Sequence, residues 1–114
     1  MRLTGKSLKD FKKWLDNEFD VDEQPIRFYQ DHADVETYAS EHFEILPFSM
    51  QYGVLVDWFD SVGIYIEVLI IDIEDEVQFF YDVNNFCCSE NFETRPPARQ
   101  KAIEKANEIY NERD

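Results

Sequence analysis

Glycine is scarce in this chain, with three residues in 114 and none near another. That excludes the glycine-rich loop that cradles a phosphate group. Cysteine is limited to the adjacent pair Cys87 and Cys88. Neighbouring cysteines rarely bridge each other, because the ring is strained, and in a strand they point to opposite faces. They read as reduced thiols, one of them buried. The two histidines, His32 and His42, combine with that pair into no zinc-ligand spacing. No apolar run approaches the ~18 residues of a membrane span. The N-terminus, Met1-Arg-Leu-Thr-Gly-Lys, leads into a charged helical pattern rather than an apolar signal region. A cytoplasmic protein is expected.

Positive charge is the other shortage, and it is uneven. The chain holds 25 acids and 11 Lys or Arg, for a net charge of −14. Residues 16 to 94 contain 20 acids and one base, Arg27. The remaining bases sit at the two ends, Arg2 to Lys13 and Arg95 to Arg113. Such a field repels nucleic acid and anionic membranes and attracts basic surfaces. Direct DNA, RNA or membrane binding is therefore not expected, and a basic protein or nucleoprotein partner is.

What is present is apolar and aromatic: 44% hydrophobic residues, with ten Phe, six Tyr and two Trp. This composition folds, and 114 residues make one compact domain, 1–114. Two runs between Met50 and Ile73, separated by Asp60-Ser61-Val62-Gly63, read as paired strands around a turn. Tyr52, Val54, Val56 and Trp58 share a face in the first run, and Ile64, Ile66, Val68 and Ile70 in the second. Leu69, Ile71 and Ile73 are apolar on the opposite face, which suggests a strand covered on both sides. Val77, Phe79, Tyr81 and Val83 alternate as the next strand. Asn84-Asn85 marks a turn, and Phe86 to Phe92 reads as a weaker fourth strand.

Helices are expected in three places. Ser7 to Phe19 carries Leu8, Phe11, Leu15 and Phe19 at helical spacing, widened by Trp14, with Ser7 as its cap. Ala33 to Phe43 reads as a second helix capped by Asp31, with Val35, Tyr38, Ala39 and Phe43 as its stripe. Ile26 to Gln30, before it, reads as a short edge strand. The closing helix has Thr94 as cap, Pro96 and Pro97 in its first turn, and Ala98, Ala102, Ile103, Ala106, Ile109 and Tyr110 on one face. The fold class is α+β: an antiparallel three- or four-stranded meander with helices at the N-terminus, before the sheet and at the C-terminus.

Catalytic patterns fail on inspection. A calcium loop starting at Asp16 needs Gly and Glu where Val21 and Arg27 stand. A restriction-type nuclease needs a lysine that Glu67-Val68-Leu69 lacks, and no lysine occurs between Lys13 and Lys101. Asp57 and Asp60 read as turn residues, and nothing marks a nucleophile elbow. No enzyme activity, metal or cofactor is expected. The aromatics outnumber the needs of a small core. Phe59, Tyr65 and Phe80 fall opposite the main alternation, where they either lie under a second helical layer or form an exposed patch rimmed by carboxylates.

Two stretches, Thr94 to Glu112 and Tyr52 to Ile64, resemble parts of small acidic bacteriophage and prophage proteins. The resemblance covers roughly a third of the chain and implies no catalytic residues. It implies a context in which small acidic proteins block host factors, CRISPR effectors or restriction nucleases among them. The expected function is a non-enzymatic inhibitor or binding module that occupies a basic nucleic-acid channel. Candidate contacts are Asp16, Glu18, Asp20, Asp22, Glu23, Asp72, Glu74, Asp75 and Glu76, with Phe59, Tyr65 and Phe80 as anchors. The competing reading of these acids is that they only confer solubility. The alternative is an accessory or structural protein that self-associates through the sheet edge or the last helix, and the third and weakest reading is an acid-dependent metal enzyme.

Overall fold

The computed structural model describes residues 3–19, 26–30, 33–37 and 43–113, with the side chains of 18–19, 26–30 and 33–37 outside the description. The elements in chain order are α1 (Gly5–Phe19), β1 (Ile26–Gln30), β2 (Ala33–Thr37), α2 (Phe48–Ser61), β3 (Ile66–Ile73), β4 (Glu76–Val83), β5 (Phe86–Cys87) and α3 (Arg95–Asn111). The fold is α+β: α1 at the N-terminus, α2 immediately before the sheet, the antiparallel meander β3-β4-β5, and α3 closing the chain. A separate two-stranded antiparallel sheet joins β1 and β2.

Two sequence expectations are corrected. Ala33 to Thr37 is not the start of a helix but the strand β2, paired with β1 from Gln30↔Ala33 to Ile26↔Thr37. Val35 and Thr37 are β-branched, which suits a strand better than a helix stripe. Asp31, the expected cap, and Tyr38 and Ala39 from that stripe lie outside the described residues.

The first half of the expected central hairpin is the helix α2. Leu55, Trp58 and Phe59 are its buried residues and recur at helical spacing, so burial overrode the alternation of Tyr52, Val54, Val56 and Trp58. The glycine signal at the end has a different meaning too. Gly63, at φ 79°, follows the C-cap Val62. Its N–H donates to Asp60 O at 3.2 Å, and the Ile64 N–H donates to Phe59 O at 2.9 Å. This pair of bonds is a Schellman motif, which ends a helix and here releases the chain straight into the sheet.

Trp58 is the centre of the core. Its ring lies 5.5 Å from Phe11, 4.7 Å from Phe59 and 4.9 Å from Tyr110, so all three helices meet on it. Phe11 and Leu15 of α1, and Ala98, Ala102, Ile103, Ala106 and Tyr110 of α3, are buried as their spacing predicts. From the sheet, only Ile66 and Val83, the paired residues at the base of β3–β4, are buried.

The N-terminus of α1 is held by α3 rather than by its own cap. Ser7, the expected cap, lies inside the helix and is fully buried. Its N–H donates to Asn111 Oδ1 at 2.7 Å. Its hydroxyl, with one proton, lies between Thr4 O at 2.9 Å and Asn107 Oδ1. Asn111 Nδ2 donates to Thr4 O at 2.8 Å, and the Thr4 N–H donates to Asn107 Oδ1 at 3.0 Å. Two asparagines one turn apart thus satisfy orphan groups at the start of the other terminal helix. Thr94 stands at the N-cap of α3 in extended conformation, without a side-chain capping bond.

Candidate functional site

The β3–β4 hairpin reaches beyond the core it is rooted in. Along β3, Ile66 is buried and Val68 half-buried, and every residue from Leu69 to Ile73 is exposed. Two tight turns shape the sheet. Glu74 (φ 51°) and Asp75 (φ 67°) join β3 to β4, and Asn84 (φ 52°) and Asn85 (φ 67°) join β4 to β5. Positive φ at both central residues matches the strand twist and is tolerated best by Asn, Asp and Gly. The acidic stretch Asp72 to Glu76 is therefore two strand ends and a two-residue turn.

The register sorts the sheet into two faces, since directly opposed residues share one. On one face lie Ile66↔Val83, Val68↔Tyr81, Ile70↔Phe79 and Asp72↔Val77. This face meets α3, whose cations lie over its rings: Arg95 is 4.8 Å from Phe79, and Lys105 is 4.5 Å from Phe86. On the other face lie Glu67↔Asp82, Leu69↔Phe80, Ile71↔Gln78 and Ile73↔Glu76. Leu69, Ile71 and Ile73 are each more than a third exposed there, Phe80 is half-buried, and Tyr65 at its base is 60% exposed. The expectation that a second layer covers Leu69, Ile71 and Ile73 does not hold among the described residues.

The apolar strip is bounded by acids. Glu67 and Asp82 stand directly opposite each other at one end, and Glu76 and the Glu74–Asp75 turn at the other. Like charges in opposed positions are unfavourable. Residues 62 to 94 contain eight acids and no Lys, Arg or His. A shallow depression of about 340 Å³ lies over the Glu67–Asp82 pair, with Tyr65 and Asn84 on its rim. A larger cleft of about 480 Å³ lies between α1 and α2, floored by Leu8, Phe11 and Leu55 and flanked by Lys12 and Glu44.

The structure therefore gathers part of the expected set. Asp72, Glu74, Asp75 and Glu76 are exposed at the hairpin tip, and Tyr65 and Phe80 lie on the open face. Phe59 is 0% exposed and belongs to the core, so it cannot anchor a partner in the folded protein. Asp16 is half-buried on α1 and does not stand free. Glu18 lies on α1 with its side chain outside the description, and Asp20, Asp22 and Glu23 fall outside the described residues. Sequence reasoning missed Glu67, Leu69, Ile71, Ile73 and Asp82. Their signal was present: each strand face alternates visibly, and only the supposed second layer hid them.

Three tyrosines have raised phenol pKa values. Tyr110 is pushed up to about 12 by burial and by its hydrogen bond to Asp10 Oδ2 at 2.6 Å. Tyr52 is raised by burial, against the pull of Arg99, and Tyr81 by burial and then by the nearby Cys88 and Glu90. Cys87 is exposed, and Cys88 is half-buried with its Sγ 3.2 Å from the Tyr81 N–H; both are free thiols. Among the described residues no group of three or more His, Cys, Asp or Glu could hold a metal ion, and no helix is long and apolar enough to cross a membrane. No family model matches the chain, and neither the curated proteins nor the solved structures compared with it include a match.

Proposed function

We propose that this protein is a non-enzymatic binding module for a basic protein surface, acting in the cytoplasm. The observation that carries the reading is the open face of the meander, where residues 62 to 94 supply acids and no bases and where no described residue covers the apolar strip. Apolar contact area at the centre with charge at the rim is the anatomy of a protein interface, and charge of one sign selects partners of the other. Basic surfaces of this kind occur on proteins that handle nucleic acid. The resemblance of two stretches to small acidic phage proteins makes a CRISPR effector or restriction nuclease of the host the first class to try. An inhibitor of this type blocks by occupying the channel.

The test is capture of partners by the tagged protein from nuclease-treated host lysate at low and high salt. A variant with Glu74→Lys and Glu76→Lys is run beside it. The expected result is a basic nucleic-acid-handling protein held at low salt, released at high salt and lost with the variant. Equal retention by the variant, or recovery of no basic protein, overturns the proposal.

A second reading, self-association, is favoured by one observation: among the described residues β3 pairs with β4 alone, leaving its outer edge open. A molecular weight that rises with concentration in the absence of any partner would favour it.

A further inference from the structure

The edge of β3 is specific about which of its backbone groups are free. The Asn84 N–H donates to Tyr65 O at 3.0 Å, which makes 65 and 84 a hydrogen-bonded pair. Pairs of this kind alternate along an antiparallel ladder. Glu67, Leu69, Ile71 and Ile73 therefore turn their N–H and C=O groups towards β4. Ile66, Val68, Ile70 and Asp72 turn theirs away. The other edge of β4 confirms the phase: Phe79 N–H donates to Phe92 O at 2.8 Å, Phe92 N–H donates to Phe79 O at 2.7 Å, and Cys88 N–H donates to Tyr81 O at 3.0 Å. The outer edge of β4 is thus covered over 79–83, while that of β3 pairs with nothing among the described residues.

We infer that the β3 edge at Val68, Ile70 and Asp72 is a strand-addition site for an extended basic segment of a partner protein. Main-chain bonds to an open edge supply attraction without sequence preference, and the flanking side chains supply selection. Here that selection is for charge. The strip beside the edge runs from Glu67, faced by Asp82, through Leu69 and Ile71 to the acidic tip. A matching segment is apolar at its centre and carries Lys or Arg at both ends on the same side. A lysine beside Glu67 also relieves the unfavourable Glu67–Asp82 opposition, which a second copy of this chain, with net charge −14, would aggravate. The inference rests on the proposed function and specifies how that surface takes its partner.

The probe is the capped peptide Lys-Thr-Val-Thr-Val-Thr-Lys, which has the required alternation. Two further versions carry backbone N-methyl groups on alternate residues, one set on each edge of the peptide. In the free protein, amide hydrogen exchange should be fast at Val68, Ile70 and Asp72 and slow at Leu69 and Ile71. The peptide should slow exchange at the first three, and one N-methylated version should fail to bind while the other succeeds. Ile70→Pro removes an outward N–H without breaking the β3–β4 ladder. It should weaken the peptide about tenfold or more and leave circular dichroism unchanged. If this variant does not fold, the exchange pattern of the native protein still decides.

Binding of both methylated versions alike, without amide protection, overturns strand addition and leaves the acidic-surface reading standing. Failure of the peptide, alongside salt-sensitive capture of a basic protein, does the same. Failure of every basic ligand overturns both. Protection of the three amides in free protein that grows with concentration makes a second copy the occupant and overturns the inference.

Discussion

Replacing Glu67 by Gln should stabilise the free protein and weaken its hold on a basic partner, an uncommon pairing of signs. Glu67 and Asp82 are opposed in the β3–β4 register, within a hydrogen-bonded pair whose Cα atoms are about 5.5 Å apart. Two unit charges at that separation, here an exposed Glu67 and a half-buried Asp82, repel by about 0.75 kcal/mol in water. That value falls to about 0.6 kcal/mol at 20 mM salt and about 0.2 kcal/mol at 0.5 M, as the screening length shrinks to roughly 4 Å. It agrees with the range of about 0.2–1 kcal/mol for cross-strand charge pairs. Glu67 is the member to change, because Asp82 Oδ1 accepts the Asn85 N–H at 2.8 Å and supports the turn. Glutamine keeps the side-chain length. The assay is urea unfolding at both salt concentrations, which leaves ionic strength under control. The midpoint should rise at low salt and the gain should shrink by more than half at high salt. A loss of stability, or a gain indifferent to salt, would show that Glu67 is already neutralised by a cation and would refute the base-free surface.

Three further outcomes follow from the core and the turns. The Tyr110 phenol is raised to about 12, so the folded state holds its proton above pH 10 where the unfolded chain loses it. Its contribution to stability is complete below pH 10 and is lost as pH rises from 10 to 12; absorbance at 295 nm should show a tyrosine ionising near pH 12 that is missing in Tyr110→Phe. Gly63→Ala should cost about 1–2 kcal/mol, measured by thermal unfolding, because a Cβ is strained at its φ of 79°, although the space beside it is open. Asn111→Ala should cost about 1–3 kcal/mol by leaving the Ser7 N–H unpaired, and amide exchange should quicken at the start of α1 before anywhere else in the helix.

The terminal helices and β4 were readable because pattern and burial coincide in them. Phe11 and Leu15, and Ala98, Ala102, Ile103 and Ala106, repeat at helical spacing and are buried. Phe79, Tyr81 and Val83 alternate and meet α3. The stretch from Tyr52 to Trp58 misleads because every second residue is apolar, while the residues buried in α2 are Leu55, Trp58 and Phe59. Both periods fit so short an apolar run, and packing on Phe11 and Tyr110 decides between them. Gly63 could not arbitrate, since a positive φ serves a hairpin turn and a helix end alike. The acidic tip was visible as composition. The open face was not, because alternation tells which residues share a face and never which face is covered. Tyr65 lies on it exposed and Phe80 half-buried, whereas Phe59 left it as soon as α2 became a helix.

The account turns on where the negative charge lies rather than on how much there is. Its most direct test compares the affinity of a captured basic partner for two double variants of equal net charge. One carries Glu67→Lys and Glu76→Lys, at the two ends of the open strip; the other carries Glu44→Lys and Asp57→Lys, exposed on or just before α2. The account predicts that the first pair loses binding by at least about a hundredfold, two disrupted charge contacts at about 1.4 kcal/mol each, while the second stays within a few-fold of the native protein. Equal losses would mean that only total charge matters, and the sheet would not be the site.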